Sequence, residues 1–407
     1  MDDYEPEPGR RIGDNIRELR GKALTRQELA DKSGVSFELL KQLEQHKRNS
    51  TSLATLRKLA GALDCDVSDI MGKRSGLPNA KATDESTGVI AIRRALTSVG
   101  QLTGTADEHP PVSLGEARRA VTYAWGSYWA GRYEKLAAIL PASIADLRST
   151  QQAAQGSPDL APASEMNARI LWAAACTLVH LGHTDTAWMA IQDAHKSAQQ
   201  GNDPLLEATL RGSIGWQLLV QGRHEESTAL VLNAAKDIQP VGNVPDAHLS
   251  VYGSLLLQAA TASGRDQKIS LALDLAEEAQ SVATRLPGDT KDYECNFGPS
   301  QVVMQVTDIH VSSENYADAL AAAKLMPLGG TGLTQVSQAR HLLDRAAALT
   351  RMGRYDDAFK LVATAEKVGG DQWARHQSLF RSVVAELLDN DRTSGLRELA
   401  SRVGVRG

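Results

Sequence analysis

The sequence is short of the residues that mark disulfide-rich, metal-binding and membrane-spanning proteins. It has three cysteines in 407 residues, Cys65, Cys176 and Cys295, too far apart for a Cys-x-x-Cys pair or a Cys/His ligand spacing. They are expected to be ordinary packed thiols, and no metal is expected. Aromatic residues make up 4% of the chain and alternating runs of Val, Ile and aromatics are scarce, which argues against a sheet protein. A membrane helix needs ~18 uninterrupted apolar residues. The longest candidate, "ILWAAACTLVHLG" from Ile170 to Gly182, is broken by Thr177 and His180. The opening "MDDYEPEP" is acidic and has no apolar core, so no secretory signal is expected, and the expected location is the cytoplasm. Enzyme chemistry has no foothold either. The His residues are scattered, and there is no His-x-x-x-His, no Gly-rich phosphate loop and no nucleophile in a recognisable frame. No catalytic residue and no cofactor are expected.

What the chain does have is Ala, Leu and charge at helical spacing, over a length that favours several domains or a repeat array. The net charge of -5 is unevenly placed. Residues 9–74 carry 14 Lys and Arg against 9 Asp and Glu, whereas residues 75–407 carry 30 against 36. A small basic module on a larger acidic body implies that the module alone meets a polyanion.

Within that module, helix punctuation recurs at short intervals. Ile12, Ile16 and Leu19 form one apolar stripe, and Gly21 follows where a helix would stop. Thr25 and Glu28 have the spacing of a capping box, with Gly34 past the end of the helix they open. Ser36 then caps a third helix. Val35, Leu40 and Leu43 are expected to face its core, leaving Phe37, Glu38, Lys41 and Gln42 outward. "SLATLRKLAGAL" and "DVSDIM" supply a fourth and a fifth helix. Helices two and three, joined around Gly34 to Ser36, make a helix-turn-helix unit.

At these residues, "LTRQELADKSGVS" through "LLKQLEQHKRNSTSLATLRKLAGALDCDVSDI", the chain resembles the Cro/phage-repressor type (XRE family) domain over residues 10–71. The resemblance implies that helix three lies in the major groove of double-stranded DNA. By position, Phe37, Glu38, Lys41 and Gln42 become base readers, while Arg26, Ser36, Lys47, Arg48 and Asn49 meet the backbone. The chemistry suits these roles. Gln42 can pair with adenine, Glu38 can accept from cytosine N4, and the Phe37 ring can lie on a thymine methyl. The family usually has Gly where this chain has His46, so a positive φ is expected there on a residue that tolerates it. A two-fold operator with half-sites about one DNA turn or a multiple apart is also implied.

The expected domains are 9–72 for DNA binding, 73–112 as a loose linker with one short helix, and 113–407 as a helical array. On the linker helix, "VIAIRRALTSVG", Arg93 and Arg94 are expected to be solvated. From Ser113 a Gly-centred turn recurs between helical runs, at Gly131, Gly182, Gly222, Gly264 and Gly353, with Glu314 keeping the pattern without glycine. The pattern resembles tetratricopeptide repeats, most cleanly in "ALTRMGRYDDAFKLVATAEKV". The expected fold is therefore all-α: a five-helix Cro/repressor-type DNA-binding domain followed by an α-solenoid of about six tetratricopeptide-like hairpins. "LRELASRVGV" closes the end.

An XRE-type domain ahead of a degenerate array resembles a class of bacterial regulators that includes the peptide-sensing quorum regulators. "NFGPSQVVMQ" and "QARHLLDRAAAL" look closer to actinobacterial members. The resemblance implies a homodimer whose array binds a peptide or small signalling molecule. Control by a protein partner with no small effector is the alternative left open. Trp125, Tyr128, Trp129, Trp172, Trp188 and Trp216 could wall a pocket. Arg169, Arg211, Gln217, Asn296, Gln301, Arg340 and Asp344 could supply its polar contacts. Of these, Trp125, Trp129, Trp172, Arg211, Trp216, Gln217, Asn296 and Arg340 are expected to contact the effector.

Overall fold

The computed structural model describes residues 12–21, 24–48, 51–63, 65, 70, 87–98, 109–327, 331–390 and 395–405. They fall into two compact units, Met1–Asp84 and Glu85–Gly407. Among the described residues there are 20 helices and one two-stranded sheet.

The first unit holds α1 (Ile12–Arg20), α2 (Arg26–Ser33), α3 (Phe37–Glu44) and α4 (Leu53–Leu63). Each is too short to be stable alone, so the unit depends on its caps and its core. The Thr25 hydroxyl accepts from the Glu28 amide while the Thr25 amide donates to the Glu28 carboxylate at 2.7 Å, a complete capping box. Gly34 ends α2 in the left-handed region, at φ 66°. Ile16, Leu29, Leu40, Leu43 and Leu59 are fully buried at the centre. Gly13 lets α1 approach the end of α3, because a Cβ there would lie 1.9 Å from the Leu43 carbonyl oxygen. The expected fifth helix lies outside the described residues except for Ile70, which is buried in the same core.

The second unit opens with α5 (Thr87–Leu96), followed by six antiparallel helix pairs. These are α6/α7 (Leu114–Trp129, Tyr133–Ala153), α8/α9 (Leu160–His180, Thr184–Ala198), α10/α11 (Pro204–Val220, His224–Asp237) and α12/α13 (Asp246–Arg265, Ile269–Ala283). The pairs α14/α15 (Pro299–Ser312, Tyr316–Ala323) and α16/α17 (Gln335–Arg351, Tyr355–Gly369) complete the set. Successive first helices touch one another and form the inner layer, while the second helices fan out behind them. That layering is the tetratricopeptide arrangement, in which each pair covers the apolar face left open by the one before.

Every pair turns in the same way. The left-handed residue is Gly131, Gly182, Gly222, Gln267, Glu314 and Gly353 in turn. In each pair the next amide reaches back to the carbonyl five residues earlier, as in Arg132 to Ser127 and Arg354 to Leu349. This is the Schellman closure. The fourth turn corrects the sequence expectation: Gly264 is still inside α12 and buried beside Ile309, and Gln267 takes the positive φ of 62°.

The expectation for the linker helix is also corrected. The helix assigned to the linker, α5, belongs to the second unit. Its stripe Val89, Ile92 and Leu96 is buried in the array core against α7, and the Arg148 guanidinium donates to the Ala95 carbonyl. An apolar stripe of that length is too costly to leave in water. Arg93, expected in solvent, is half-buried and donates to Thr186. The all-α expectation holds, and the described residues add one short hairpin to it. Between α13 and α14 stands a hairpin of β1 (Thr290–Asp292) and β2 (Cys295–Phe297), antiparallel, with Lys291 opposite Asn296.

After α17 come α18 (Asp371–His376), α19 (Ser378–Asn390) and α20 (Leu396–Arg402). These return to the start of the array. The Gln372 amide donates to Glu134 at 3.0 Å, and the His376 and Tyr133 rings stand edge to face. A Cβ on Gly131 would lie 3.3 Å from both the Gly369 carbonyl oxygen and the Trp373 Cβ. Trp373 is buried in one core that also holds residues of α5 to α10. The last helices thus pack against the first pair.

Candidate nucleic-acid interface and array interior

Helix α3 owes its placement to both ends. The Ser36 hydroxyl accepts from the Leu39 amide at its start. At its end the Gln42 carbonyl accepts from the amides of Lys47, at 2.9 Å, and Arg48, at 3.1 Å. With Leu40 and Leu43 inward, the opposite face carries Phe37, which is 40% exposed, Glu38 and, half-buried, Lys41 and Gln42. Lys41 Nζ lies 3.7 Å from Glu38 Oε2, an exposed pair one turn apart. Such a pair is weak enough to open for a different partner.

Of the expected backbone contacts, Ser36 precedes α3, and Lys47 and Arg48 follow it. Ser36 and Lys47 are exposed and Arg48 is half-buried. Asn49 lies outside the described residues. His46 has φ 57°, the conformation for which the family uses Gly, and its Nε2 lies 3.0 Å from Asp14 Oδ1 at the start of α1. Arg26 carries a constraint that the sequence reading missed. Its Nε donates to Glu44 at 2.6 Å, and Arg20 takes the other Glu44 oxygen at 3.0 Å. The Glu44 side chain is wholly buried. A lone acid on the inward face of α3, with arginines one and two helices earlier, was the available signal.

The structure divides the effector candidates into separate groups. Trp125 stacks edge-on against Trp172 with centroids 4.5 Å apart, and Trp129 and Tyr128 complete the cluster. Trp125 donates to the Arg169 carbonyl and Trp172 to the Ser213 hydroxyl at 2.8 Å. Trp216 joins through His180. Trp125 and Trp172 are almost wholly buried, so they act as core, and the half-buried Trp129 and Trp216 form the reachable edge. Trp188 lies apart, under the Arg223 guanidinium.

The polar candidates do not gather into one site. Arg211 is tied to Asp237 on α11 at 2.5 Å. Gln217 is buried beneath α9 and donates to the Ala187 carbonyl. Arg340 bridges Asp308 of α14, at 2.9 Å, and Asp344 of its own helix, at 3.0 Å. Arg265 closes on the same Asp308. Burial pushes the Asp344 carboxyl up to about 7, and the two arginines hold Asp308 below the usual range. Asn296 sits on β2, within the hairpin.

The hairpin tip is a feature that sequence reasoning did not find. Tyr293 and Glu294, the two turn residues, have φ 49° and 58°. That is the primed hairpin turn, usually built from Asn and Gly. The Arg169 guanidinium lies over the Tyr293 ring, 5.2 Å from its centroid, with Nη1 3.4 Å from Glu294 and Nη2 3.9 Å from Asp203. Burial raises the Glu294 carboxyl, opposed by Arg169. Burial also lifts the Cys176 and Cys295 thiols to about 12, which leaves them unreactive near neutrality.

No metal-binding cluster of His, Cys, Asp and Glu occurs among the described residues, and no described helix is long and apolar enough to cross a membrane. Residues 16–70 match the family model described as helix-turn-helix. No curated protein matches the sequence. Two solved structures are similar over nearly their whole length and about two thirds of this chain. Pseudomonas aeruginosa PilF is 17% identical, with 64% of this chain and 96% of that one covered and a TM-score of 0.34. Bacillus thuringiensis PlcR, in complex with the peptide PapR7 and DNA, is 13% identical, with 68% and 95% covered and a TM-score of 0.29. Superpositions this loose leave the array to be read from its own helices. The chain therefore carries an XRE-type (Cro/phage-repressor type) helix-turn-helix domain at its amino-terminal end, followed by a tetratricopeptide-like helical array.

Proposed function

We propose that the protein is a sequence-specific transcriptional regulator of the cytoplasm. It binds a two-fold DNA operator as a homodimer, and an effector in the array interior changes its affinity for that operator. The observation that carries the first part is the outward face of α3, Phe37 to Gln42, on a helix capped at both ends. In this reading Phe37, Glu38, Lys41 and Gln42 meet base edges. Ser36, Lys47, Arg48 and Asn49 meet phosphates, together with Arg26 from its post beside Glu44. The half-buried Trp129 and Trp216, at the edge of an otherwise buried aromatic cluster on the first helices, support the effector. An effector acts only by binding the two dimer geometries unequally.

Selection of bound sequences from random DNA by the purified protein tests the reading. A two-fold consensus is expected, and Gln42→Ala should relax the preference at one position per half-site, costing about 1–3 kcal/mol there. Recovery of no consensus, or a Gln42→Ala preference identical to the parent's, would overturn it.

A further inference from the structure

The segment that follows α3 is anchored from two sides. On one side it hangs from the helix itself: the Gln42 carbonyl accepts from the Lys47 amide at 2.9 Å and from the Arg48 amide at 3.1 Å. The Leu43 carbonyl accepts from the His46 amide at 3.1 Å. Gln42, expected at a base edge, thus shares its carbonyl with two residues expected at phosphates. On the other side the segment is tied to α1, where His46 Nε2 lies 3.0 Å from Asp14 Oδ1. Nδ1 of the same ring is buried with no hydrogen-bond partner among the described residues, so Nε2 is the nitrogen by which the ring is held.

Neither anchor can easily follow the other. The backbone at His46 is left-handed, with φ 57°, a conformation that side chains enter only at a cost. The first turn of α1 is pressed onto the end of α3, since a Cβ on Gly13 would lie 1.9 Å from the Leu43 carbonyl oxygen and 3.1 Å from the Glu44 Cα. The Asn15 side-chain amide donates to the Ile70 carbonyl at 2.9 Å and fixes the same turn against the core. Asp14, between those two residues, is therefore a fixed post. By charge alone, an acid in contact with the residue before Lys47 disfavours a polyanion. What it supplies is a partner that sets where His46, and with it Lys47, can stand.

We propose that His46 is a positioning residue for DNA binding: through Asp14 it sets the path of the chain after α3, so that Lys47 reaches a phosphate while the outward face of α3 meets the bases. The proposal rests on the DNA-binding reading above and adds to it a pair that touches neither base nor phosphate.

Affinity of the full-length protein for its selected operator, measured by fluorescence anisotropy, tests this. Asp14→Asn should weaken binding by about fivefold, although it removes a negative charge from the basic unit. His46→Asn keeps a residue that tolerates the left-handed backbone and should weaken binding by about the same factor, with the double variant no weaker than either. In a Lys47→Ala background each substitution should cost less than about twofold, because the contact that they position is gone. The consensus sequence should stay the same throughout. Circular dichroism melts confirm folding, and His46→Gly, which suits the backbone better still, repeats the test if His46→Asn melts early. Tighter binding by Asp14→Asn, losses that add in the double variant, or losses as large without Lys47 as with it would overturn the proposal. A parent that selects no consensus would overturn the DNA-binding reading as well, whereas a firm consensus bound equally by all variants overturns the positioning role alone.

Discussion

The ring of Phe297 fills the space that a side chain on Gly253 would need: a Cβ built there would lie 2.0 Å from the ring's Cζ. Glycine inside a helix normally gives up stability relative to alanine, yet here α12 gains a seat for the base of the hairpin. Gly253→Ala should therefore lower stability by about 1–3 kcal/mol, as overpacked cores do. Gly126→Ala, at an exposed position of α6 with no atom within 4 Å of the added Cβ, should raise it by up to about 1 kcal/mol. Denaturant midpoints for the two variants should move in opposite directions.

The six turns of the array make a second set of comparisons. Gln267→Gly removes a side chain from a left-handed residue and should gain about 1 kcal/mol. Gly353→Ala should cost a similar amount, because its added Cβ meets nothing within 4 Å. Gly131→Ala should cost more than Gly353→Ala, because it also presses on Gly369 and Trp373 at the seam. Thermal melting of the three variants gives the order directly, and a Gly131→Ala melt equal to that of Gly353→Ala would contradict the seam.

Much of this was visible beforehand, for reasons that particular residues make plain. The Thr25–Glu28 box and the Gly34 stop are local devices, and their spacing alone predicts the helix that forms. The glycine turns were legible wherever glycine carries the positive φ. The fourth was misread because Gln267 carries it instead, while Gly264 serves packing against Ile309. The hairpin gave no signal because Tyr293 and Glu294 stand where Asn and Gly would announce the turn. Sealing of the last helices onto the first pair depends on rotation accumulated over six pairs, which no single segment encodes. The outward face of α3 was readable from its period, whereas the Arg20–Glu44–Arg26 cluster joins three helices and needed the fold.

A histidine packed among aromatic rings sets an acid limit on the array. Burial among Tyr128, Tyr133 and Trp216 brings His180 down to about 4, so the native ring stays neutral while the unfolded ring takes up a proton below about 6.5. The unfolded state then binds more protons, and stability falls as the pH drops through that window. The loss from this residue is about 3 kcal/mol between pH 7 and pH 4. Denaturation of parent and His180→Phe at both pH values should show the variant losing less by about that amount. Parallel losses would mean that His180 is not held neutral.

In the DNA-binding unit, Glu44→Gln leaves Arg20 and Arg26 without their shared anion. Breaking a buried pair in this way costs about 3 kcal/mol. Lys47→Ala should leave melting unchanged and instead reduce the salt dependence of operator binding by about one unit of slope. Calorimetry and salt titrations on the two variants separate the residue that builds the interface from the one that touches phosphate. A Glu44→Gln protein that melts like the parent would refute the structural role.

An open solenoid can gain or lose a pair and merely become longer or shorter, and its end pairs fray first. Once Trp373 is buried against the first turn, neither freedom remains. The number of pairs becomes a condition for closure, so deletion of any one should unfold the whole array rather than trim it. Amide exchange should likewise be slow at both termini of the array, with no gradient of protection from its ends toward its middle.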